Sequence, residues 1–369
     1  MTHRSAPPGG AVLLLSSLLA SVACHSHSAG NVVAPSEAAS GPYYVATNGS
    51  DQNQGTTTSP WRTISYAVTR LKPGDTLFVR GGVYNDWLDN PVVSGTSWAS
   101  PVRIAAYQGE SVWLKPSGGS YAIELASSQQ YIEFDGINID ARYNSLGAPV
   151  RIEGWSGGNA HHIRIKNAEI ISGGDGIPNQ GTSGGATAIM VTAAIPGVVG
   201  GNEFQHLVIH GGGDPGDFAY AFYVQSSDNL IEQCDISDTS GGGIQIYNGY
   251  GWRPSNNIVR GNRIHDIRRS GDNRIWGIID AADGTQIQNN TIFNVGTPAS
   301  VGAAIDLYYG SGAVVEGNTV YGNHPFGIFI ESGARSAIIT NNTIYDNDTN
   351  VHNLSADTSV VGDSVPIRR

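Results

Sequence analysis

Charge is scarce in this chain, and lysine is scarcer still. Charged residues make up 14%, against roughly 25% in an average globular domain, and lysine stands only at positions 72, 115 and 166. With a net charge of −11, an acidic surface of this kind argues against nucleic acid as a partner, because phosphate binding is dominated by Lys and Arg. It also repels polyanions, so an acidic polysaccharide would need a local basic cluster or a bound cation. Cysteine is nearly absent, at Cys24 and Cys234. One cysteine downstream of the leader makes no internal disulfide, so the fold is held by other means. Long helical periodicity is missing as well.

What the chain has instead is glycine, 49 of 369 residues, with abundant Asn, Ser, Thr and β-branched residues. That mixture suits many short strands joined by tight turns. The 40% of hydrophobic residues recur in a pattern, which excludes a disordered chain. At the N-terminus, Arg4 precedes an apolar run from Ala11 to Ala20 that is too short to span a bilayer. Residues 1–24 therefore read as an export signal. Ser21-Val22-Ala23-Cys24 is similar to a bacterial lipobox, which makes Cys24 a candidate lipid anchor, with plain cleavage nearby as the equal alternative. Residues 25–40 read as a flexible linker and 41–369 as one domain, exported to the periplasm, the cell surface or the medium, and expected to be monomeric.

A phrase with an apolar residue, four more residues and a second apolar residue keeps returning: Phe134…Ile139, Ile165…Ile170, Ile231…Ile236, Val259…Ile264, Ile287…Ile292, Val315…Val320 and Ile339…Ile344. A repeat period in the twenties with strand-like segments specifies a solenoid, and the leucine and helix pattern of a leucine-rich repeat is missing. The expected fold is all-β, a right-handed parallel β-helix. Two residues before the second apolar position runs a column, Cys234, Asn262, Asn290, Asn318 and Asn342. Stacked coils superimpose these side chains, and Asn both tolerates the left-handed turn conformation and bonds to the Asn above and below. The column is expected to be an internal asparagine ladder, with Cys234 a small buried substitute. At the start, Ser59-Pro60 reads as a helix opening, and Ile64, Ala67, Val68 and Leu71 lie at helical spacing. This amphipathic helix is expected to cover the first coil, and residues 351–369 the last.

The stretch YYVATNGSDQNQGTTTSPWRTISYAVTRLKPGDTLFVRGGVY, residues 43–84, resembles the opening of exported bacterial right-handed β-helix proteins of the pectate lyase and chondroitinase B-like superfamily, of the type capped by an N-terminal helix. The resemblance implies a carbohydrate-active protein, most often a lyase on a uronic-acid polysaccharide. The aspartate-rich calcium and lysine signature of the related pectate lyases is not found. Lys115 and Lys166 fall in early coils, so a lyase base here is expected to be Arg, Tyr or His.

A β-helix offers a polymer one long sheet face. In the strands around Ile189, Phe222, Ile244, Ile278, Ile305 and Ile328, alternation points the apolar set inward. It leaves Tyr223, Gln225, Gln245, Tyr247, Asp306, Tyr308 and Glu331 outward, a mixture of rings, amides and carboxylates suited to sugars, although such residues also occur on ordinary solvated faces. The long loops beside it bring His210, Tyr250, Trp252, Arg253 and Arg274. Tyr223, Gln225, Gln245, Tyr250, Trp252 and Arg253 are the substrate-binding candidates. In a lyase, Arg274 or Arg253 would neutralise a uronate carboxylate, and His210, Tyr247 or Tyr308 would remove the adjacent proton. In a glycoside hydrolase, Asp306 and Glu331 would flank the bond. The third reading is a surface solenoid that binds polysaccharide without chemistry. Asp280 breaks the alternation. It is either paired or presented outward, where with Asp283 it would offer two oxygens to Ca²⁺; an ordinary Asp-Gly turn is the plainer reading.

Overall fold

The computed structural model describes residues 41–363 apart from segments 90–91, 118–120, 143–147, 155–157, 174–186, 194–199, 213–218, 248–251 and 269–272. The expected leader, Cys24 and the linker therefore lie outside the described residues.

Short β-branched segments separated by Gly and Asn turns wind into coils of three strands, and each strand pairs in parallel with its counterpart one coil on. Three parallel sheets result. Sheet 1 has 12 strands, from Tyr43–Val45 to Ser359–Val361; sheet 2 has 10, from Gly82–Tyr84 to Thr343–Tyr345; sheet 3 has 10, from Leu88–Asp89 to Thr349–Asn353. This is the expected right-handed parallel β-helix, the hand that a parallel crossover takes as a rule. The second apolar residues of the repeated phrase form one inward column in sheet 2, Ile139, Ile170, Ile209, Ile236, Ile264, Ile292, Val320 and Ile344, each with no exposed surface.

The corner between sheets 1 and 2 holds the asparagine ladder. Asn262 Nδ2 donates to Asn290 Oδ1 at 2.9 Å, Asn290 to Asn318 at 3.0 Å and Asn318 to Asn342 at 2.9 Å. Each acceptor oxygen also takes the backbone N–H of the preceding ladder residue. The second amide hydrogens go to Ile231, Val259 and Ile287 carbonyls. Cys234 sits on the same column, buried, its N–H on Asn262 Oδ1. A second ladder, Asn202, Asn229 and Asn257, lines the corner before sheet 1. A third, Asn323 and Asn347, lines the corner after sheet 2.

Two end expectations change. The helix spans only Ile64–Ala67, capped by Thr63 rather than Ser59. Trp61 is bridged to Val45 in extended conformation, so the chain enters the helix after it, and Asp51 locks the entry by accepting from the Arg62 and Thr63 N–H groups. Ile64, Ala67, Val68 and Leu71 still face the core as predicted. At the far end, Thr349–Asn353 and Ser359–Val361 extend sheets 3 and 1 instead of covering them. Val360, in register with buried Ile339, is itself exposed.

Candidate functional site

Sheet 3 carries the site. The predicted inward residues of its strands, from Ile189 to Ile330, are all buried. Between them, one outward row runs Asp89, Glu124, Arg151, Met190, Tyr223, Gln245, Ile279, Asp306, Phe329 and His352. Two residues further along the strands a second row holds Thr192, Gln225, Tyr247, Tyr308 and Glu331. The face thus gathers Tyr223, Gln225, Gln245, Tyr247, Asp306, Tyr308 and Glu331, as the alternation predicts. The Tyr223 and Tyr247 rings lie 6.3 Å apart, and Gln225 Nε2 donates to the Tyr223 hydroxyl at 3.1 Å.

Asp306 stands out on this face. It points outward yet is 2% exposed. Its Oδ2 accepts the Trp276 indole N–H at 2.9 Å, and its Oδ1 is buried without a partner. Burial first, then the charge of Glu331, pushes the Asp306 carboxyl up to about 7, against the pull of the indole donor. A carboxylate in poor solvent holds its proton until the surroundings can stabilise the charge. Glu331, on the next coil and partly exposed, is also raised by burial. Two carboxyl groups with lifted proton affinity therefore sit on adjacent coils. The backbone places them one strand and two residues apart, about 8 Å between Cα atoms by strand geometry.

Other candidates are placed elsewhere. His210 ends a sheet 2 strand, and its Nε2 lies 2.9 Å from Glu169 Oε1. Trp252 packs against the hydrophobic core, with Nε1 buried and unpartnered. Arg253 is exposed and lies 3.6 Å from Asp283. Arg274 is exposed at the corner leading into the Trp276 strand, bridged to Val301. Tyr250 lies outside the described residues. The Tyr308 phenol is raised, by its hydrogen bond with Tyr309 and then by burial, the wrong direction for a proton acceptor.

Asp280 points inward, in register with Ile246 and Leu307, and is fully buried. Of its two predicted states the paired one holds. Thr285 Oγ1 donates to Oδ1 at 2.9 Å, while Oδ2 has no partner; burial pushes the carboxyl up to about 7. Asp283 faces the other way, accepting the Ser311 N–H at 2.8 Å. The two carboxylates are thus committed to different partners, one inside the coil and one outside it. Among the described residues no group of three or more His, Cys, Asp or Glu is placed to hold a metal ion.

Sequence reasoning missed Trp276, Phe329 and His352, which share the face with Asp306. Phe329 lies 5.2 Å and Phe326 4.9 Å from the His352 ring. It also missed a cluster at the N-terminal end of the same row. There Arg151 donates to the Tyr121 hydroxyl and pairs with Glu153 at 2.8 Å. Glu124 is pushed up to about 7 by burial and a hydrogen bond with Asp89. The signal was in the sequence, since Arg151 and Glu153 flank inward Ile152, but the repeated phrase is faint in those coils. The three lysines lie off sheet 3. Lys115 binds Asp140 and Lys166 binds Glu133, on sheets 2 and 1, and Lys72 precedes the first coil strand.

Comparisons with known proteins agree with this architecture. Residues 200–365 match the family model for the right-handed beta helix region, and residues 43–194 match that for the Pel9A-like, right-handed beta helix region. The chain is similar to the uncharacterized protein YwoF of Bacillus subtilis (strain 168), 27% identical over 345 residues, covering 85% of this chain and 70% of that one. Among solved structures it is similar to XylC in complex with xylose, with a TM-score of 0.62, 13% identity, and coverage of 84% of this chain and 69% of that one. Pectate lyase Pel9A superposes with a TM-score of 0.57 at 16% identity, covering 88% and 78% respectively. At such identities the likeness to solved structures is one of fold.

Proposed function

We propose that this chain, which belongs to the pectate lyase-like superfamily of right-handed parallel β-helix proteins, is an exported enzyme that lays a glycan along the outward face of sheet 3 and hydrolyses it at Asp306 and Glu331. The observation that carries the reading is the pair itself: a buried carboxyl held protonated near neutrality beside a more exposed one on the next coil. Two carboxylates in unlike environments divide into acid and base. Asp306 donates its proton to the departing glycosidic oxygen, and Glu331 takes a proton from the attacking water. Carboxyl separations of ~5–5.5 Å go with retention and ~6.5–9.5 Å with inversion, and a backbone offset of one strand and two residues is compatible with either. The described residues of the two outward rows from Met190 to His352 include no Lys or Arg, so the pair sits in surroundings suited to an uncharged sugar.

A polysaccharide lyase is the second reading, favoured by the Pel9A-like family match over residues 43–194. It requires a uronate carboxylate neutralised by a cation and a base beside the ring proton, tasks that fall to Arg274 or Arg253 and to Tyr247. The purified protein, offered neutral glycans and uronic-acid polysaccharides in parallel, separates the two. Reducing ends released from a neutral glycan without ultraviolet absorbance support hydrolysis; the absorbance of an unsaturated uronate establishes elimination instead.

A further inference from the structure

The acid on this face holds its proton in a defined place, and the residue that fixes it is on the previous coil. We propose that Trp276 is a positioning residue that occupies Asp306 Oδ2 with its indole N–H and so confines the acidic proton to Oδ1. As a statement about catalysis this rests on the hydrolase reading; as a statement about which carboxyl oxygen the indole occupies it stands on geometry.

An indole nitrogen donates and cannot accept. With Trp276 Nε1 at 2.9 Å from Oδ2, that oxygen is the acceptor, and because the carbonyl oxygen of a neutral carboxyl accepts better than its hydroxyl oxygen, the hydrogen is favoured on the other one. Oδ1 is the oxygen that is buried without a partner, so an O–H there has no acceptor within the fold. The backbone is cut to let the indole reach across. In the preceding coil the position in register with Trp276 is Gly242, where a Cβ would come within 2.6 Å of the Tyr220 ring and 2.9 Å of the Trp276 carbonyl. In the following coil Gly302, at φ +133, would place a Cβ 2.0 Å from the Ile275 carbonyl and 3.2 Å from Trp276 Cδ1. A side chain at Gly302 would meet the indole itself, and one at Gly242 would press on the Tyr220 ring and the Trp276 backbone. The charged and titratable groups around Asp306 are Glu331 on the next coil, Tyr308 two residues on along its own strand, and, behind the sheet on the preceding strand, the inward Asp280, which feels the Asp306 charge. Burial and the Glu331 charge hold the proton on, and the indole dipole works against them.

The test needs no substrate. In protein labelled with ¹⁵N at tryptophan, one indole resonance, absent from Trp276→Phe, is expected to titrate with a midpoint well above the ordinary carboxylate range and to stop titrating in Asp306→Asn. Carboxyl infrared difference spectra between wild type and Asp306→Asn report the same midpoint directly. Trp276→Phe, which removes the donor and keeps a ring, is expected to raise that midpoint by about one pH unit. If a substrate is in hand, the alkaline limb of kcat moves up with it while kcat falls at least about tenfold. An indole that ignores Asp306 in the wild-type protein overturns the proposal, and so does an Asp306 midpoint unmoved by Trp276→Phe; the wild-type measurement decides even where the variant fails to fold. A protein that passes both titrations and cleaves no glycan retains the positioned proton and loses the hydrolase reading.

Discussion

The corner between sheets 1 and 2 and the outward face of sheet 3 are made by the same coils and obey opposite rules. At the corner, Asn262, Asn290 and Asn318 repeat one residue type, and every amide group is satisfied by the coil above or below. On the face no position repeats, since successive coils offer Gln245, Ile279, Asp306 and Phe329, and Asp306 keeps an unpartnered buried oxygen. The second ladder shows the transition. Asn202, Asn229 and Asn257 stack until the next coil presents Thr285, which turns to Asp280 instead, leaving Asn257 Nδ2 and Asp280 Oδ2 unpaired. Repetition satisfies buried polar groups at no cost in design, and departure from it leaves unsatisfied groups that stability alone does not explain. The corner is built to hold the coils together, and the face carries the departures on which the proposed hydrolysis rests.

Substituting one residue from each region tests that division. Asp306→Asn keeps the shape of a side chain that is already neutral and still accepts the Trp276 N–H, so turnover is expected to fall by about 10²–10⁴ with the thermal midpoint unchanged. A variant that unfolds early while retaining its kcat would move Asp306 to the structural side. Asn290→Leu should do the reverse. It strips the Asn262 N–H and amide of their acceptor inside the solenoid, and each buried group left unpaired costs ~1–3 kcal/mol. The midpoint is then expected to drop by on the order of 10 °C, which differential scanning calorimetry reads directly. A normal melting curve would mean that the ladder is dispensable.

Asp280 sharpens the contrast, being buried like a ladder residue and only half satisfied. Its folded-state proton affinity is raised above the ordinary Asp value of 3.8 to about 7. Between those two values the native state keeps a proton that the unfolded chain has released, so stability falls as pH rises through that window. Asp306, raised in the same direction, contributes a parallel slope. Asp280→Asn is expected to flatten the decline in chemical-denaturation stability between about pH 4 and pH 7 while leaving the acid end unchanged. An unaltered slope would show that Asp280 is ionised in the fold and compensated by a partner.

How far the sequence could be read follows the same division. The fold was legible because the solenoid writes it repeatedly: the apolar columns and the asparagine column are statements made once per coil. The outward phase of Tyr223, Gln245, Asp306 and Glu331 followed from alternation. Trp276 was not legible, because what matters is its reach to a carboxyl 30 residues away, and the indole has room there because Gly302 carries no side chain. His210 precedes the Gly-rich stretch before the Tyr223 strand as expected, but periodicity could not show that it closes a sheet 2 strand 2.9 Å from Glu169. Ser59 looked like a cap because Ser-Pro is a good helix opening locally; the Trp61 bridge to Val45 is a tertiary contact that overrides it.

The smallest expected effect repairs the ladder where it is interrupted. Cys234 already takes the Asn position: its N–H meets Asn262 Oδ1 at 2.9 Å, as the ladder asparagines do one coil on, and its thiol lies 3.7 Å from the Phe204 carbonyl. That carbonyl corresponds to the Ile231 carbonyl that receives the Asn262 amide. The Leu207 N–H, which faces the Cys234 sulfur, stands where a ladder oxygen would accept. Asn at 234 therefore finds an acceptor in Asn262 Oδ1, a second in Phe204 O and a donor in Leu207 N–H, and exchanges weak sulfur contacts for amide hydrogen bonds. With net values near ~1 kcal/mol per bond, offset by fitting a slightly larger side chain, Cys234→Asn is expected to raise the thermal midpoint by a few degrees and leave turnover untouched. A fall in the midpoint would mean that the coil has closed around the sulfur, and that at this one place the corner, like the face, is built for a particular residue rather than for the repeat.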